Sequence, residues 1–81
     1  MLRIFEKDGY LFFLYSNEHP PIHVHVRYGG GEAVFNVSPD EVELRESAGL
    51  KVKELSKAED LAKANITLII QKWNEHNSRQ S

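Results

Sequence analysis

Pro21-Ile22-His23-Val24-His25-Val26-Arg27-Tyr28-Gly29-Gly30-Gly31-Glu32-Ala33-Val34-Phe35-Asn36-Val37 reads as a β-hairpin, and that reading decides the fold. Ile22, Val24, Val26 and Tyr28 alternate with His23, His25 and Arg27, so the two sets leave opposite faces of a strand. After the glycines, Ala33, Phe35 and Val37 alternate with Glu32, Val34 and Asn36. The two apolar sets stay on one face only with a two-residue Gly29-Gly30 turn, which pairs Tyr28 with Gly31. A three-residue loop would pair Val26 with Val34 and mix the faces. The deduced register sets Arg27 opposite Glu32, His25 opposite Val34 and His23 opposite Asn36.

Working outward toward the N-terminus, Ser16–Pro21 is a break, because the Pro20-Pro21 pair forbids helix and donates nothing to a ladder. Tyr10–Tyr15 is apolar at nearly every position, as a central strand covered on both faces would be. Lys7-Asp8-Gly9 carries an Asp-Gly turn signal, and Leu2–Glu6 is a short first strand. Toward the C-terminus, Ser38-Pro39-Asp40 is turn chemistry, and Val42 and Leu44 outline a short fifth strand that Ala48-Gly49 ends.

Lys51–Ala64 then repeats Val52, Leu55, Ala58, Leu61 and Ala62 at helical spacing. Asn65 is placed to N-cap a second helix, Ile66–His76, with a stripe of Ile66, Ile69, Ile70 and Trp73. Trp73 is assigned to the core, His76 to a helix end where the dipole favours a cation, and the tail at 77–81 is expected to fray. Strands followed by helices make an α+β fold: a small antiparallel sheet of four to five strands, over residues of about 2–45, then two C-terminal helices, over about 51–76.

The 81 residues make a single domain, 1–81, with a thin core. An apolar content of 41% and a charged content of 27% suit a folded chain. Ten basic and twelve acidic residues are interspersed, giving a net charge of −2 and no basic stripe, so DNA binding through phosphates is not expected. The chain has no cysteine, which excludes disulfides and thiolate-held zinc. The N-terminus lacks a signal-peptide pattern, and no apolar run approaches the ~20 residues of a membrane span. A cytoplasmic location without membrane association is the expectation.

The candidate chemistry sits on the histidine face. His23 and His25 have Cα atoms about 6.5–7 Å apart on one side of a strand. Two imidazoles so placed suit acid and base roles near neutral pH, a polar binding surface, or a metal with Glu18 or Glu32 as third ligand. His-x-His alone is also compatible with ordinary exposed strand residues. A catalytic zinc usually takes three protein ligands and only two are nameable, so no metal or other cofactor is assigned. Arg27 is expected to pair with Glu32 across the hairpin, or to offer a fork for phosphate or carboxylate beside the histidines. Ser16-Asn17-Glu18 is either a plain turn or a loop that orients the histidines.

These residues also resemble a family. Ser16-Asn17-Glu18, Pro21-Ile22-His23-Val24-His25-Val26-Arg27, Gly31-Glu32-Ala33, Lys53-Glu54-Leu55 and Trp73-Asn74-Glu75 look like the bacterial domain of unknown function numbered four-one-six-zero. The resemblance covers nearly the whole chain and implies a small sheet with two C-terminal helices. Such proteins are typically encoded beside a second small protein of unknown function, family two-four-four-two, which suggests toxin–antitoxin modules with this chain as the toxin-like member. His23 and His25 match the family's two histidines, and Ser16, Asn17 and Glu18 match its loop. After Ala33 the family pattern runs Lys-Phe-Trp, whereas this chain has Val34-Phe35-Asn36, so the histidine face has lost a cation and an aromatic.

Two functions are therefore expected. One is a toxin-like protein that cleaves RNA without a metal, His23 and His25 serving as acid and base, with Arg27, Glu32, Ser16, Asn17, Glu18 and Asn36 around them. The other is a non-catalytic module that docks a small antitoxin-like partner protein. The altered positions 34 and 36 make the face less ionic and favour docking.

Overall fold

A computed structural model describes residues 1–17 and 19–80. Five strands form one sheet in the order β1-β2-β3-β4-β5, each antiparallel to its chain neighbour. They are β1 (Leu2–Lys7), β2 (Tyr10–Leu14), β3 (His23–Tyr28), β4 (Gly31–Val37) and β5 (Val42–Ala48). Two helices follow, α1 (Val52–Ala64) and α2 (Ile66–Gln80). The α+β architecture read from the sequence is the architecture observed.

The central hairpin has the deduced register at every position: Tyr28 opposite Gly31, Arg27 opposite Glu32, His25 opposite Val34 and His23 opposite Asn36. Gly29 holds the turn with a φ of 57°, a value open to glycine without strain. The two-residue turn and the period of the strands point to the same pairing, so the face of each side chain is fixed locally.

Val24, Val26, Ala33, Phe35 and Val37 pack with Tyr10, Phe12 and Leu14 of β2 against Ala58, Leu61 and Ala62 of α1 and Ile69 and Trp73 of α2. Both helices thus cover one face. Burying Phe12 and Phe35, each with no exposed surface, stabilises by about 1.5–3 kcal/mol apiece. The β2 strand is flanked by β1 and β3 and is buried on both sides, as its unbroken apolar run implies.

The structure corrects several sequence expectations. The β5 strand runs up to the Ala48-Gly49 break, past the boundary of about 45 expected for the sheet, although six of its seven residues are exposed. Its backbone ladder with β4, not apolar patterning, holds it there. The ladder shifts between Val34 and Phe35, leaving Arg45 as the extra residue of a bulge that breaks the alternation a sequence reading relies on.

Asn65 does not act as an N-cap acceptor. Its Nδ2 donates to the Leu61 carbonyl at 2.8 Å, closing the end of α1, and only its backbone carbonyl serves α2. At the start of α1 the Lys51 amide donates to Glu54 Oε1 at 2.8 Å. Val52, counted in the apolar stripe, is the first helical residue and is 86% exposed. The α2 helix continues through the tail to Gln80. No described helix is long and apolar enough to cross a membrane.

Candidate binding face around His23 and His25

Residues directly opposite in a ladder share a face. The registers therefore build rows on the face of the sheet opposite Phe12, Val26 and Phe35. One row is Phe13, His25, Val34 and Glu46; beside it lie Leu11, Arg27, Glu32 and Ala48; on the other side stand His23, Asn36 and Glu43. His23, His25, Arg27, Glu32 and Asn36 are brought together as the sequence implied.

The two histidines have unequal surroundings. His23 is 7% exposed and lies in the last row, where β2 no longer pairs with β3. The Trp73 ring of α2 stands 5.1 Å from it between ring centres. His23 Nδ1 is 2.8 Å from the Pro21 carbonyl oxygen. A carbonyl only accepts, so Nδ1 carries the proton and the tautomer is set by the backbone of the diproline segment.

His25 is half-buried. It stacks on Phe13 at 5.5 Å, meets the edge of Tyr15 at 4.6 Å and the His23 ring at 5.3 Å. Phe13 is fully buried on the face opposite Phe12, because the His25 and Tyr15 rings and the Arg27 guanidinium enclose it. The expected Arg27–Glu32 ion pair gives way to this arrangement: the Arg27 guanidinium carbon sits 5.0 Å from the Phe13 ring centre. A guanidinium on an aromatic face keeps its solvation while covering apolar surface, which exposed pairing with Glu32 would not achieve.

Ser16 and Asn17 form an exposed turn at the end of β2, and Glu18 lies outside the described residues. His76 donates from Nε2 to the Ser16 carbonyl at 3.2 Å, fastening this turn to the end of α2. The sequence reading gave His76 no such role, since the contact joins residues sixty apart.

A groove of about 330 Å³ opens on this face, lined by Tyr15, His25, Glu32, Val34, Glu46 and Ser47. Sequence reasoning missed Tyr15 and Glu46. Tyr15 follows Phe13 by two residues, so its place beside His25 was implicit in the strand period; Glu46 was hidden by the bulge at Arg45. Asn36 Oδ1 is buried and, among the described residues, meets no donor. Among the described residues no three His, Asp or Glu side chains gather into a metal site.

A family model for a domain of unknown function, DUF4160, matches residues 9–74, most of the chain. The chain belongs to the DUF4160 family. The matched span holds β2 through most of α2, and so includes the histidine face, the groove and Trp73. No curated protein and no solved structure matches this DUF4160 chain.

Proposed function

We propose that this chain is the toxin-like member of a two-protein bacterial module and docks a small protein encoded beside it through the outer face of its sheet. The observation that carries the reading is the groove between Tyr15, His25 and Val34 on the sheet face opposite Phe12, Val26 and Phe35, the side chains packed with the helices. An exposed tyrosine and a half-buried histidine beside a buried aliphatic floor are the mixture that protein interfaces favour at their centres. Co-expression with the adjacent gene product tests this. Tyr15→Ala abolishes co-purification, whereas Lys53→Ala and Lys63→Ala on α1 leave it intact. Loss with the helix variants and retention with Tyr15→Ala would move the interface to the helices.

A second reading, RNA cleavage without a metal, is favoured by one observation: two imidazoles 5.3 Å apart, with the tautomer of His23 fixed. One would take the 2′-hydroxyl proton and the other protonate the leaving oxygen, with Arg27 near the phosphate charge. Three carboxylates on the same face, Glu32, Glu43 and Glu46, repel phosphate and count against it, as does the burial of His23. Growth arrest or RNA cleavage that survives His25→Ala refutes it.

A further inference from the structure

The groove has an electrostatic asymmetry that specifies its occupant. Glu32 of β4 and Glu46 of β5 line it from neighbouring rows, both exposed, and neither forms an ion pair among the described residues. Among the described residues, Arg27 on this face is committed to the Phe13 ring, and Arg3, opposite Phe13 on β1, pairs with Glu6 at 3.5 Å. Tyr15, 42% exposed, provides an aromatic wall, and Val34, 6% exposed, an apolar floor. An aromatic wall with paired carboxylates and an apolar floor is complementary to one kind of side chain: a long apolar stem ending in a delocalised cation.

We propose that the groove is a receptor for an arginine side chain presented by the partner protein. The arginine stem lies on Val34, its guanidinium stacks beside Tyr15, and its N–H groups donate to the Glu32 and Glu46 carboxylates. Arginine is preferred to lysine because its planar fork addresses two carboxylates at once and is more weakly hydrated. The volume of about 330 Å³ accommodates one such side chain with its flanking backbone and lies at the small end of ligand sites. This inference rests on the docking reading above and names the chemistry the partner must bring.

The test uses the whole chain, labelled with ¹⁵N and titrated with N-acetyl-arginine amide, and in parallel with N-acetyl-citrulline amide, which keeps the shape and removes the charge. Arginine amide shifts the amide signals of Tyr15, His25, Val34 and Glu46, and citrulline amide does not. The double variant Glu32→Gln, Glu46→Gln weakens binding about tenfold, the change that ~1.4 kcal/mol produces. Equal shifts with the two probes, shifts elsewhere only, or binding that survives the double variant overturns the proposal. The docking reading fails separately: if arginine amide binds as described but Tyr15→Ala leaves co-purification intact, the arginine site stands and the interface does not. If co-purification needs Tyr15 but is indifferent to the double variant, the interface stands and the arginine site falls.

Discussion

Replacing His23 with alanine separates a structural role from a chemical one. The ring is 7% exposed, donates to the Pro21 carbonyl at 2.8 Å and packs 5.1 Å from Trp73. Losing the hydrogen bond costs about 1 kcal/mol, and losing the ring–ring contact ~0.5–1.5 kcal/mol beyond area burial. His23→Ala is therefore expected to destabilise by about 2 kcal/mol, and more where the cavity fails to collapse. A domain of this size is stable by roughly 4–12 kcal/mol, so the change is a large fraction of the total. It lowers the melting temperature by about 10 °C, since 1 kcal/mol moves a small domain by ~4–8 °C.

His25→Ala, at a half-buried position, should cost about half as much. Thermal unfolding followed by circular dichroism measures both, and a cycle with Trp73→Leu isolates the contact, expected at ~0.5–1.5 kcal/mol. Equal shifts for the two histidine variants, or a His23→Ala melt within about 2 °C of the parent, refutes the reasoning. The outcome also governs how function is tested: a loss of activity in a variant lacking His23 reports on folding first.

Further consequences follow from other parts of the fold. A Cβ on Gly31 would overlap the Gly49 carbonyl and meet Leu50 at 2.9 Å, so Gly31→Ala is expected to cost more than ~2 kcal/mol in urea unfolding, while Gly30→Ala, with nothing within 4 Å, stays within about ±0.5 kcal/mol. Asn65→Asp is expected to destabilise as much as Asn65→Ala, about 1 kcal/mol, because only an amide donates to Leu61; an Asp variant as stable as the parent would restore the N-cap assignment. Burial, then the negative charge of Tyr28, Glu54 and Asp8, raises the Tyr10 phenol above its ordinary value. The folded state thus favours the neutral phenol, and its contribution to stability is complete below the unfolded value and lost as pH rises through the raised one. Ultraviolet titration of the Tyr10→Phe variant against the parent should show the missing tyrosine among the late-ionising ones.

What the sequence determined by itself is the hairpin and everything that depends on its parity. The strict alternation on both sides of Gly29-Gly30 admits one register that keeps the apolar sets together, and that register assigns His23, His25, Arg27, Glu32 and Asn36 to one face. The helices were equally legible because their apolar stripes recur at helical spacing. What only the tertiary structure decided is what covers that face and what stands beside it. Trp73 reaches His23 across fifty residues of chain, Arg27 settles on Phe13 instead of Glu32, and the Arg45 bulge brings Glu46 to the groove. Periodicity reports the direction in which a side chain leaves its strand. It carries no information about which distant group arrives to meet it, and that meeting is what makes His23 an anchor and leaves Tyr15, Glu32 and Glu46 to line the groove.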